Sequence, residues 1–195
     1  MKRLITLLQK QNKKIAVAES CTGGLITKML TDVSGASSVF GYGVTAYANE
    51  AKQKLLGVKE ETLNTFGAVS ENTVREMAKG VLELAEADIS IAISGIAGPN
   101  NDGSTKPVGT VCIAVATAEK CYATTFVFAG KRGEIRRRAA KMALNMAYDE
   151  LKTDKTDKTA KPEKITRKEK RTAKKEKKTE KKALKSLKRQ SKKDK

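Results

Sequence analysis

The stretch from Lys14 to Leu30 constrains this chain most. A short apolar run, Lys14-Ile15-Ala16-Val17-Ala18, reaches Glu19 and opens into a turn, Ser20-Cys21-Thr22-Gly23-Gly24, rich in hydroxyls and glycine. A helical pattern, Leu25-Ile26-Thr27-Lys28-Met29-Leu30, follows at once and runs to about Asp32. Strand, turn, helix lifts one side chain to a sheet edge. It also aims the free N–H groups of the helix start at whatever sits there. Ser20 is the residue so presented.

The rest of the chain repeats the alternation. Leu4, Ile5, Leu7 and Leu8 have helical spacing and predict a first helix packed on the sheet. Gly43–Tyr47 reads as a second strand ending at Tyr47. A helix then follows, with Asn49 as N-cap and Gly57 as stop. Lys59–Leu63 predicts a short helix closed by Gly67. Ser70 caps a longer one, whose stripe is Val74, Met77, Val81, Leu82 and Leu84. Ile89–Ser94 alternates as a strand and opens into a second glycine loop, Gly95-Ile96-Ala97-Gly98-Pro99. Val108–Thr117 and Cys121–Phe128 read as neighbouring strands around a tight turn at residues 118–120. A last helix follows Gly130 and Lys131, its stripe formed by Ile135, Ala139, Met142, Ala143, Met146 and Ala147. Interleaved helices and strands predict a single α/β domain, a three-layer α/β/α sandwich with a mixed sheet. Ligands in such sheets bind at the carboxyl ends of strands, which puts the Ser20 turn and the Ser94 loop on one rim.

Charge divides the chain in two. Of its net +18, residues 154–195 carry 20 Lys and Arg against 7 Asp and Glu, a surplus of +13, and residues 1–153 carry the remaining +5. The first segment is long enough for one domain with a real core. The second has few apolar residues and is expected to be a disordered, Lys-rich tail. Such a run suits non-specific contact with nucleic acid or acidic lipid surfaces, but no aromatic interleaves it to stack on bases. Cys21, Cys112 and Cys121 form neither a disulfide framework nor a zinc pattern. No segment has the length of a membrane helix or the apolar core of a signal peptide, so a cytoplasmic protein is expected.

The chain contains no histidine. Any general base must therefore be Lys, Tyr, Asp, Glu or a terminal group. Tyr47, at a strand end, and Lys52, on the first turn of the next helix, are together the best candidates, and burial of Lys52 near Ser20 would favour its neutral form. Lys54, two positions on, faces elsewhere. Cys21 competes with Ser20 as nucleophile, although adjacent turn residues point apart. The plain alternative is that Ser20 and Thr22 only cap the helix. Gly23 and Gly24 leave room for close approach of a ligand. Arg132, Arg136, Arg137 and Arg138 crowd a helix N-terminus, where cations oppose the dipole, and this suggests an anionic partner. Arg132 and Arg136 are one turn apart and could share one anion. The plain alternatives are a solvated basic face and, for Ser94 to Pro99, a simple strand-end turn.

Six blocks together resemble the CinA C-terminal domain family, the nicotinamide-nucleotide amidases. They are Ala18–Gly24, Tyr47–Lys52, Gly67–Ser70, Ser94–Pro99, Lys106–Thr110 and the Gly130/Arg132/Arg136 segment. The resemblance spans about residues 3–151. It implies an enzyme that deamidates nicotinamide mononucleotide to nicotinate mononucleotide and ammonia, in pyridine nucleotide salvage. Ser20 matches the nucleophile, Lys52 its base and Tyr47 an accompanying hydroxyl. Ser94 falls where the family keeps a pocket hydroxyl. Thr22, Gly23, Gly24, Gly95, Gly98, Arg132 and Arg136 would contact substrate. Arg132 sits in a glycine–acid–arginine turn whose acid is Lys131 here. No metal or organic cofactor is called for, and a homo-oligomer is implied. A contrasting expectation is a catalytically silent α/β module tethered to nucleic acid by the tail.

Overall fold

The computed structural model describes residues 1–101 and 103–159. Within them lie α1 (Lys2–Gln11), β1 (Ile15–Glu19), α2 (Leu25–Thr31), a short 3-10 turn (Ala36–Ser38), β2 (Phe40–Thr45) and α3 (Asn49–Leu56). These are followed by α4 (Glu60–Phe66), α5 (Glu71–Leu84), β3 (Ile89–Gly95), β4 (Thr110–Ala116), β5 (Cys121–Val127) and α6 (Arg132–Thr159). The sheet order is β2-β1-β3-β4-β5. β1 pairs in parallel with both β2 and β3, whereas β4 is antiparallel to β3 and to β5. The expected mixed sheet and single α/β domain are both present.

Strand alternation sorts the core into two layers. Ile15, Val17, Ile89, Ile91, Ile93, Val111, Ile113 and Val115 face α1, α2 and α6. Ala16, Ala18, Ala92, Cys112, Ala114 and Ala116 face α3, α4 and α5. Small side chains let α5 lie close, and the Ser90 hydroxyl donates to the Ala78 carbonyl at 2.7 Å. Helix α5 in turn admits α3 closely. A methyl group at Gly80 would lie 1.9 Å from the Leu56 carbonyl oxygen.

Several boundaries differ from expectation. Strand β2 begins at Phe40 and ends at Thr45, so Tyr47 lies in the link to α3 rather than at a strand end. Asn49 is the first helical residue of α3, not its cap; Ala48 holds that position and makes no side-chain bond. Ser70 does cap α5, accepting the Thr73 amide at 3.2 Å. The final helix runs past the composition break after Leu151, to Thr159. The chain divides into units of residues 1–154 and 155–195. The tail expectation beyond residue 159, including its contact with nucleic acid, lies outside the described residues. Among the described residues no helix is long and apolar enough to cross a membrane.

Candidate active site

The parallel strands β1, β2 and β3 end at one edge of the sheet, where the predicted residues gather. The ladder continues one residue beyond β1, for the Ser20 amide donates to the Ile93 carbonyl at 3.0 Å. Ser20 and Ser94 therefore cap neighbouring strands, 8% and 1% exposed respectively. Period-2 alternation from Ala16 and Ala18 carries Ser20 to the α3–α5 side. Cys21 turns the other way, into the core beside α2 and α6. Burial and the nearby Glu19 charge push the Cys21 thiol up to about 12. A thiol so held is a poor nucleophile, because the thiolate is the reactive form. Ser20 is left as the nucleophile candidate, and its hydroxyl makes no hydrogen bond among the described residues.

Lys52 is the largest buried polar side chain, 1% exposed on the inner face of α3. Its ammonium donates to the Tyr47 main-chain carbonyl at 2.9 Å. Desolvation lowers its pKa from the ordinary 10.5, and the nearby Cys21 and Glu50 only partly offset that. The inner face follows from register: Lys52 and Leu56, one turn apart, are both buried, while Lys54 between them is exposed. Tyr47 orients Lys52 through its backbone, and its own ring is 64% exposed.

The helix-start amides are not free for a ligand, nor do Ser20 and Thr22 cap them. Two first-turn amides go to Glu19, which is fully buried: Ile26 N–H donates to Oε2 at 3.0 Å and Thr27 N–H to Oε1 at 2.8 Å, while Leu25 N–H donates to the Thr22 carbonyl at 3.3 Å. Gly24 occupies the N-cap without a side-chain bond. Gly23 (φ 56°) and Gly24 (φ 87°) are both left-handed, which lets the chain double back into α2. The Gly23 amide bonds back to the Ser20 carbonyl at 3.1 Å. The amides of Thr22 and Gly24 have no partner among the described residues, and the Thr22 hydroxyl is buried without one.

Arg132, Arg136 and Arg138 are spent on backbone carbonyls. Arg136 reaches from α6 to the Cys21 carbonyl at 3.1 Å and also to that of Thr22. Arg132 donates to the Gly98 carbonyl and Arg138 to that of Ala129, each at 2.7 Å. Arg132 and Arg136 thus hold two different loops. Three of the four arginines at this helix start thus sit opposite carbonyl oxygens, which offsets much of the electrostatic conflict seen in the sequence. Glu134 caps the same helix, accepting the Lys131 amide at 2.7 Å, so Lys131 leaves the turn intact. Gly95 lies against the β4 main chain, where a methyl group would fall 2.7 Å from the Thr110 carbonyl oxygen. Lys106 ties the following loop to the Phe66 and Val69 carbonyls.

The residue that sequence reasoning missed is Glu19. An acid closing a strand just before a helix was the available signal, since helix starts favour negative charge.

A mixed-sheet α/β sandwich with a strand-end serine, a buried lysine and no histidine defines the class. The family follows: the model of the CinA C-terminal domain matches residues 1–151, and the chain belongs to that family. A CinA-like protein of Thermotoga neapolitana is 51% identical over 154 residues, 78% of this chain and 37% of that protein. A CinA-like protein of Fervidobacterium nodosum is 49% identical over 140 residues, 72% of this chain and 34% of that protein. The chain spans about a third of the length of these relatives. A CinA-superfamily crystal structure from Klebsiella pneumoniae superposes with a TM-score of 0.76 at 34% identity, covering 77% of this chain and 94% of that one. A competence/damage-inducible protein from Agrobacterium tumefaciens gives 0.71 at 41% identity, covering 74% and 89%.

Proposed function

We propose that this chain is an amidohydrolase that converts nicotinamide mononucleotide to nicotinate mononucleotide and ammonia. The observation that carries the reading is Lys52. A buried lysine with a lowered pKa, on the serine side of the sheet, supplies the base that a histidine-free chain otherwise lacks. Ser20 Oγ attacks the carboxamide carbon, and neutral Lys52 takes its proton. The turn amides of Thr22 and Gly24 are the donors for the oxyanion, an interaction worth about 3 kcal/mol per donor in comparable sites. Lys52 then returns the proton to the departing nitrogen, and ammonia leaves an acyl-serine. Water, deprotonated by the same lysine, attacks the acyl carbon and restores Ser20. Ser94 lines the pocket, and the guanidinium N–H groups of Arg132 not used on Gly98 face the substrate phosphate.

An ammonia-release assay across nicotinamide mononucleotide, its riboside and free nicotinamide tests both reaction and substrate. The mononucleotide is expected to turn over without added metal, and the two compounds lacking phosphate poorly. Ser20→Ala should lose at least about 10³-fold in kcat with its melting temperature unchanged. Full activity in that variant would refute the mechanism.

A further inference from the structure

Among the described residues Glu19 is the one fully buried carboxylate, and the mechanism above does not use it. Removing such a charge from water costs several kcal/mol unless something compensates. No lysine or arginine pairs with it among the described residues. Its compensation is the start of α2, with one carboxylate oxygen on Ile26 N–H and the other on Thr27 N–H. The aligned peptide dipoles place partial positive charge there.

The side chain spans the turn it precedes. The Glu19 backbone is fixed in β1, opposite Thr45 and Ile93, and its carbonyl accepts the Ala46 amide at 2.8 Å. Its carboxylate grips the chain again at residues 26 and 27, beyond the whole Ser20–Gly24 segment. Arg136 meanwhile holds the middle of that segment by the Cys21 and Thr22 carbonyls. Entry, middle and exit of the turn are thus each anchored, and two of the three anchors are charged side chains.

The Ser20 hydroxyl stands at the entry to that turn and makes no hydrogen bond among the described residues. We propose that Glu19 is a positioning residue: by holding both ends of the Ser20 turn it sets where the Ser20 hydroxyl points. This rests on the reading of Ser20 as nucleophile.

Glu19→Gln tests it. The glutamine amide offers one acceptor and turns an N–H₂ group toward the second helix amide, donor against donor. In Glu19→Gln, kcat for ammonia release should fall on the order of 10²-fold with KM within about twofold, as expected of a misplaced rather than a missing nucleophile. Modification of Ser20 by an alkyl fluorophosphonate, located by peptide mass, should slow by a similar factor. A purely structural cap would lower the melting temperature and leave both rates of the folded protein unchanged, and that result overturns the inference. If Glu19→Gln does not fold, Glu19→Asp keeps the charge and both acceptor oxygens but shortens the reach to the two α2 amides. About a tenfold loss in kcat and in labelling then supports the inference, and unchanged rates refute it. Slower labelling in the variant of a protein that leaves the mononucleotide untouched would refute the substrate and retain Glu19's role. Absence of Ser20 labelling in the unaltered protein would refute both.

Discussion

The two faces of the central sheet are built from the same strands yet differ in size and in task. On one face Ile15, Val17, Ile91, Ile93 and Ile113 fill the space beneath α1, α2 and α6. On the other, Ala16, Ala18, Ala92, Ala114 and Ala116 let α5 settle close to the backbone, and Gly80 lets α3 settle on α5. Large β-branched residues bury the most area and supply most of the hydrophobic stabilisation, about 25 cal/mol per Å² of apolar surface. Small residues gain less area and give up distance instead. That closeness buries Lys52 on the side to which Ser20 is turned. Cys21, its neighbour in sequence, joins the large-residue face and is kept as an inert thiol. The largest strand side chains lie on one face, and the proposed chemistry lies on the other.

Cutting back the large face should produce the biggest change in stability. Ile113→Ala leaves a cavity in a fully buried site and should cost about 2–5 kcal/mol in urea unfolding. Below the shifted transition, kcat should remain within about twofold. A large loss of kcat in folded protein would break the division between the faces.

Enlarging the small face should cost less stability and more activity. Gly80→Ala forces a methyl group against the Leu56 carbonyl, and the strain should cost about 1–3 kcal/mol. The displaced helix is the one that carries Lys52, so kcat should fall by more than the loss of folded protein explains. Circular dichroism melts alongside kinetics would separate the two effects.

The smallest effect concerns Lys52 itself, and its sign runs opposite to ordinary core mutations. Its folded pKa is lowered, so between that value and the unfolded value near 10.5 the unfolded state binds more protons. Stability of the unaltered protein therefore rises with pH through that window. Lys52→Met should be the more stable protein at neutral pH, and its advantage should shrink as the pH approaches the ordinary lysine value. Urea midpoints measured from pH 7 to 10 check this. An advantage that grows with pH would contradict the burial of the charge.

Much of this division was legible in the sequence. The alternation over Ile89–Ser94 marked a strand, the interleaving of helices and strands pointed to the layered sheet, and the five-residue spacing from Tyr47 to Lys52 fits the observed backbone bond. The boundary errors arose where propensity and geometry diverge. Asn49 is a good capping residue, yet the chain enters the helix one residue earlier. Tyr47 favours a strand, but pairing with β1 stops at Thr45. Long-range partners were invisible. Arg136 lies 115 residues from the Cys21 carbonyl it holds, and nothing local distinguishes an arginine reserved for a carbonyl from one awaiting an anion. Glu19 was hidden differently: its partners are only 7 and 8 residues away, but reaching them requires the turn conformation that it helps to set.

In the proposed mechanism Lys52, its pKa lowered by burial, is the base that activates Ser20. The pH dependence of kcat/KM for ammonia release from nicotinamide mononucleotide tests it most directly, because that profile reports the free enzyme's essential base. The expected profile has a rising limb with its midpoint below the ordinary lysine value of 10.5, retained in Lys54→Ala, together with loss of activity in Lys52→Met. A midpoint at the ordinary lysine value, or an active Lys52→Met protein, would contradict it.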